Sequence, residues 1–240
     1  MMRSGDVWEG GIDDTRLQAS SLGDQVEDIL LRVGRYLEAT TNRYALGQDE
    51  YYARLALEQA AVGLREGNYG IGAVAVLAQP SRVLEFRAPN RILTGGGVID
   101  HAETLVVLAA RRAGGVTGEY PRKSNRFTSH LPEGLSVYST IEPCPMCVCA
   151  MTNAGARRSI STISDGKIII RDGYPVSDGS ANAVGQKSKL QPVVWQSIQE
   201  GLGLTFAELS TGDEELVALS AAIFFATRNE IDFRLATTRR

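Results

Sequence analysis

The spacing of apolar residues divides the chain into alternating helices and strands. Val26, Ile29, Leu30, Val33 and Leu37 recur every three or four positions, which predicts an amphipathic helix over 24–39. Tyr52, Leu55, Ala56, Ala60 and Val62 predict a second over 49–66, stopped by Gly67-Asn68. IGAVAVLA (71–78) is apolar throughout and of strand length, and Gln79-Pro80-Ser81 turns it into a second strand, RVLEFRA (82–88). TGGG (94–97) reads as a flexible loop, because its glycines lack the spacing of a phosphate cradle. VIDHAETLVVLAARRAG (98–114) reads as a helix with Asp100 as N-cap and Gly114 as its stop.

After a polar stretch (115–134), LSVYST (135–140) predicts a strand and Cys144–Ala156 a helix, with Pro143 just ahead of it. RSISTIS (158–164) and KIIIRD (167–172) predict strands, and 173–192 reads as loop. Helices are expected at 192–202 and 213–229, the second with Thr211 and Glu214 in capping-box spacing. Strands alternating with helices through the middle predict an α/β sheet core. The predicted layout is an N-terminal extension with one helix (1–48), a core (49–172) and a C-terminal helical extension packed on it (173–240).

Composition narrows the class. At 43% hydrophobic and 22% charged, the 240 residues are ordinary globular material for about one to two domains. Net charge is −3, which disfavours a protein built mainly to grip nucleic acid. The short basic clusters Arg122/Lys123/Arg126, Arg157/Arg158 and Arg239/Arg240 read as solvated surface. The start MMRSGDVWEGGIDD has no apolar core, so no signal peptide is expected, and no apolar run reaches membrane-span length. Three cysteines within six positions do not form a disulfide framework, which points to a reducing cytoplasm.

Those cysteines carry the chemistry. Cys144 and Cys147, three apart on a first helical turn, face one side, and the unpaired N–H groups of a helix start favour thiolates. The spacing suits a redox pair or two zinc ligands. Nothing else in the chain supports a thioredoxin-like unit, whereas His101 opens another predicted helix and is followed by Glu103. His-x-Glu followed by Pro-Cys-x-x-Cys is the zinc deaminase pattern. His101, Cys144 and Cys147 are therefore the expected ligands of one Zn2+ per subunit, with the fourth position open to water. Glu103 is the expected proton shuttle rather than a ligand. His130, in RFTSHLPEG, reads as surface. Cys149 falls on another helix face, too far round to share the metal, and is expected to be a small buried side chain.

IGAVAVLA, APN, DHAETLVVLAARRAG, LSVYSTIEPCPMC and RSISTIS together resemble the cytidine deaminase-like superfamily over about 49–166. EPCPMC is closest to its nucleobase and tRNA-adenosine branch, which holds guanine deaminases and tRNA adenosine deaminases. The resemblance implies a three-layer α/β/α sandwich with a mixed five-stranded sheet, one zinc per subunit and frequent homodimers. It assigns the metal to His101, Cys144 and Cys147, proton transfer to Glu103 and contact with the base to Asn90. It also implies that the Cys144 backbone N–H helps hold the developing oxygen. Cys149 departs from the small residue usual there, and 1–48 and about 70 residues after Asp165 have no counterpart. Trp195, Phe206, Phe224, Phe225 and Phe233 supply either core or a wall for the ring.

The function expected is hydrolytic deamination of a small aminated heterocycle: nucleobase, nucleoside or a relative. A tRNA adenosine deaminase is the alternative, disfavoured by the acidic charge and favoured if the basic clusters line the rim of the site; a deaminase of single-stranded polynucleotides is weaker. The non-enzyme alternative is a zinc-binding interaction domain, against which Glu103 argues, since a retired site has no need of a carboxylate beside the metal.

Overall fold

The computed structural model describes residues 19–79, 81–113, 134–163, 168–171, 174–177 and 204–238. His130, Trp195, the clusters at 122–126 and 239–240, and the helix expected at 192–202 lie outside them, as does the side chain of Phe233.

Five strands form the main sheet: β1 (Gly72–Gln79), β2 (Arg82–Pro89), β3 (Leu135–Ile141), β4 (Arg158–Ile163) and β7 (Thr205–Glu208), in the order β2-β1-β3-β4-β7. The first two pairings are antiparallel and the last two parallel, so the sheet is mixed, as expected. A separate hairpin joins β5 (Ile168–Arg171) to β6 (Tyr174–Ser177). Two of these strands correct the expectation that 173–240 is loop and helix. Tyr174–Ser177 is a strand, and Thr205–Glu208 completes the sheet. TFAE is short and mostly exposed, so its alternation is faint; the edge of β4 supplies the backbone partners that make it a strand.

The alternation along the central strands feeds two cores. Val74, Val76, Tyr138 and Ile160 face α1 (Ala19–Ala39), α2 (Asp49–Arg65) and α5 (Glu214–Thr238). Ala73, Ala75, Leu77, Leu135 and Val137 face α3 (Ala102–Ala113) and α4 (Pro145–Asn153). Helices thus cover both faces of the sheet, with a period of two deciding which residue meets which layer. Leu57, Leu216, Leu219 and Ile223 are at most 1% exposed, and burial of each contributes about 1.5–3 kcal/mol. Gly72 allows α2 to lie close on β1, because a Cβ there would overlap the backbone of Ala56 and Ala60.

The start of α5 is tied to the N-terminal layer. Asp213 caps it by accepting the Leu216 N–H at 2.9 Å, while Thr211 Oγ1 accepts the Asp213 N–H at 3.1 Å. The expected Thr211/Glu214 capping box is therefore replaced by an Asp213 cap. The same carboxylate accepts the hydroxyls of Tyr36 (2.8 Å) and Tyr44 and the Arg43 guanidinium (3.0 Å). Burial pushes the Asp213 carboxyl up, but these donors outweigh it and hold it below the usual aspartate range.

Candidate metal centre and active site

β2 and β3 each run antiparallel to β1, so they run parallel to one another, and the helices that follow them start over the same end of the sheet. The helix expected over 98–114 begins only at Ala102. His101, not Asp100, occupies the cap position, with its carbonyl accepting the Leu105 N–H at 3.0 Å. Asp100 instead lies against Gly95 and Gly97, where added Cβ atoms would crowd its carboxylate, so the TGGG loop is packed rather than merely flexible. The second helix starts at Pro145, with Cys144 as its extended N-cap and Cys147 in its first turn. Proline at N1 costs no hydrogen bond, since that N–H has no intrahelical acceptor.

The two helix starts bring His101, Cys144 and Cys147 together, with one ligand atom from each lying within 4.8 Å of the others. Cys144 Sγ is 3.3 Å from Cys147 Sγ and 3.7 Å from His101 Nδ1. Tetrahedral zinc with bonds of about 2.0–2.3 Å separates its ligand atoms by about 3.3–3.8 Å, so the donor set fits the ion in kind and in spacing. Cys147 is fully buried; Cys144 and His101 are half-buried. The sulfur–sulfur contact with Cys147 and, less strongly, the His101 ring lower the Cys144 thiol to about 4 despite its burial. Among the described residues this is the group that could hold a metal. Cys149 is no part of it and is exposed, contrary to the expected burial. Two residues past Cys147 is about 200° round the helix, which turns it away from the core.

Glu103, in the first turn of α3, is 3% exposed. Its Oε1 accepts the Ser139 hydroxyl at 2.9 Å and its Oε2 the Cys147 thiol at 3.4 Å. Burial raises its pKa first and the nearby Cys144 charge second, against the lowering effects of His101, its own backbone N–H and Ser139. A carboxyl raised in this way holds a proton more readily than a solvated one, as a group that takes and returns a proton must.

Beside these groups lies a cavity of about 190 Å³, whose lining includes Asn90, His101, Glu103 and Cys144. Asn90 is fully buried. Its Oδ1 accepts the Ile92 N–H at 3.1 Å, which fixes the amide orientation, because a backbone N–H can only donate. Its Nδ2 then has no partner among the described residues and borders the cavity as an unused donor.

Three contributors escape the motif. Ser139 holds Glu103 from a strand face that is otherwise apolar, and a polar side chain on that face near the cysteines is the signal that could have found it. Phe224 and Arg228 reach the cavity from α5. Phe224 serves as both core and wall, at 4% exposure; Phe225 and Phe206 pack into core clusters. Of the basic clusters, Arg158 pairs with Asp49 at 3.1 Å and lies opposite Ser136, about 10 Å of strand before Ser139. It therefore sits at the end of the sheet away from the site, not on its rim.

Comparison with known proteins agrees with this geometry. Residues 46–163 match the family model for the cytidine and deoxycytidylate deaminase zinc-binding region. The tRNA-specific adenosine deaminase of Bacillus subtilis is 36% identical over 104 residues, 43% of this chain and 55% of that protein, so the chain spans about half the length of this relative. A solved tRNA:A34 deaminase, studied for A-to-I editing at the transfer RNA wobble position, is 34% identical over 48% of this chain and 77% of its own, at a TM-score of 0.38. The guanine deaminase of Nitrosomonas europaea is 19% identical, covers 73% of this chain and 85% of its own, and shares the fold at a TM-score of 0.50. With the matched region spanning both helix starts and all three candidate ligands, residues 46–163 form a cytidine and deoxycytidylate deaminase zinc-binding region.

Proposed function

We propose that the protein hydrolyses the exocyclic amine of a small aromatic heterocycle, such as a nucleobase or nucleoside, to the oxo product with release of ammonia. The observation that carries this reading is the buried Glu103 carboxyl, which borders, together with His101, Cys144 and the unused Asn90 amide, a cavity of about 190 Å³. That volume lies below the roughly 300 Å³ at which drug-sized pockets begin and suits one ring system.

His101, Cys144 and Cys147 would hold the zinc. When bound, zinc supplies a Lewis acid that lowers the pKa of water towards about 7. Asn90 Nδ2 donates to an acceptor on the ring and sets its orientation. Glu103 takes a proton from the attacking water and passes it to the ring nitrogen beside the amino-bearing carbon; it then takes the second proton from the new hydroxyl and hands it to the departing amine as the carbonyl forms. One water enters, one ammonia leaves and Glu103 ends as it began. Ser139 keeps the carboxyl pointed at the cavity throughout. Free thiols as ligands favour a reducing compartment, where they would persist, and a homodimer is the assembly we favour.

A second reading, adenosine deamination in tRNA, is supported by the sequence likeness to the Bacillus subtilis enzyme. It requires a basic rim for phosphates, and the Arg157/Arg158 pair does not supply one from this subunit's site. An ammonia-release screen of the zinc-loaded protein over adenine, guanine, cytosine, their nucleosides and a tRNA decides between them. Release from a free base or nucleoside supports the first reading, release from tRNA alone the second, and release from none refutes both.

A further inference from the structure

The cavity has a wall that the zinc-binding motif does not provide. Phe224 and Arg228 stand four residues apart on α5 and so share one helix face. The Arg228 guanidinium carbon lies 5.4 Å from the Phe224 ring centroid and 5.9 Å from that of Phe225. Both distances are within cation–π range, so the aromatic pair props the guanidinium in place. Among the described residues Arg228 is the sole lysine or arginine on the lining. Glu142 lines the same cavity and balances its charge. Two thiolates and a neutral imidazole likewise cancel a divalent cation at the other end. Among the described residues no surplus positive charge is left for a phosphate dianion, yet the guanidinium offers several N–H donors to an uncharged ring.

We infer that Arg228 is a specificity-determining residue, whose propped guanidinium donates to a carbonyl or ring-nitrogen acceptor of a neutral, phosphate-free heterocycle. It adds to the Asn90 Nδ2 donor on the lining. Together they demand a ring with two acceptors besides the amine that leaves. A site built to hydrogen-bond in this way discriminates against a ring lacking one acceptor, because that contact is then not made. The inference rests on the deaminase reading but assigns a residue and a substrate class that this reading leaves open.

The test uses zinc-loaded full-length protein, Arg228→Gln and Arg228→Lys. Ammonia release is measured on guanine, adenine and cytosine, each as free base, nucleoside and 5′-monophosphate. In parallel, binding of the free bases is titrated calorimetrically to Glu103→Gln with and without Arg228→Gln. On the preferred base, Arg228→Gln is expected to raise KM about ten- to a hundredfold with a smaller change in kcat. Arg228→Lys should recover part of that loss, and the 5′-monophosphates should be the poorest substrates. Melting temperature and zinc content should stay at wild-type values, which separates recognition from a merely structural role. Wild-type KM in Arg228→Gln overturns the inference while the deaminase reading stands. So does a preference for 5′-monophosphates that Arg228→Gln abolishes. If wild-type protein releases no ammonia, a base that binds Glu103→Gln but not the double variant still supports the role of Arg228. Absence of both turnover and binding defeats the two together.

Discussion

The floor of the cavity and its α5 wall reach the same space by different routes. The floor comes from two helix starts on one face of the sheet, with His101 and Cys144 at the caps and Glu103 and Cys147 within the first turns. Its geometry is local: Cys144 and Cys147 follow directly on the end of β3, His101 and Glu103 follow β2 after the loop 90–100, and both strands point the same way. The wall comes from the layer on the opposite face. Phe224 and Arg228 stand more than two turns into α5, and their position depends on what fixes that helix as a whole. The Asp213 cluster fixes its start, and close packing against Gly70 fixes its middle, since a Cβ on Gly70 would overlap the Ile223 backbone. On the proposed reading, reaction chemistry belongs to the short motif and the Arg228 contact to long-range packing, so the two should be separable by mutation.

The sharpest separation comes from the floor. Glu103→Gln should keep zinc and substrate binding while lowering kcat by about 10²–10⁴, the range for a lost general acid–base; metal analysis and single-turnover ammonia release together check it. Gly70→Ala attacks the wall alone. Pushing α5 outward should cost about 1–3 kcal/mol of stability and raise KM while zinc content stays constant. A fall in zinc in that variant would show that floor and wall are one unit.

The Asp213 cluster can be released by acid. Because its folded-state pKa is depressed, Asp213 contributes stability that is present at neutral pH and lost as pH falls through the folded value, below the usual aspartate range. Asp213→Asn should cost about 1–2 kcal/mol at pH 7, from a weakened cap and its charge-assisted hydrogen bonds. It should also flatten the acid limb of the melting-temperature profile relative to wild type. Ser139→Ala acts more gently. Loss of its hydrogen bond should raise the Glu103 pKa further and move the acid limb of kcat/KM to higher pH. The smallest effect is expected from Cys149→Ser, which should leave zinc content unchanged and stability within about 0.5 kcal/mol, because the side chain is exposed.

The same contrast governs how much could be read beforehand. His101, Glu103, Cys144 and Cys147 are visible in the chain because their roles depend on spacing within two short fragments and on the strands before them. The mixed sheet and its helices follow from apolar periodicity, save β7, whose four residues become a strand only beside β4. Phe224 can be read only as core or wall, and Arg228 is hidden beside it in SAAIFFATR, an apolar run with no polar face to show which side meets the cavity. Asp213 is hidden for another reason: its partners Tyr36, Arg43 and Tyr44 lie some 170 residues away, and no local pattern records them. Residue type alone puts Cys149 in the core, whereas helix phase, a readable property, turns it to solvent.

Metal analysis of protein purified without added zinc, comparing wild type with Cys147→Ala, tests the central claim most directly. One zinc per wild-type chain and almost none in the variant is the result required by a site of His101, Cys144 and Cys147. A wild-type ratio near zero, or an undiminished ratio in Cys147→Ala, would contradict it.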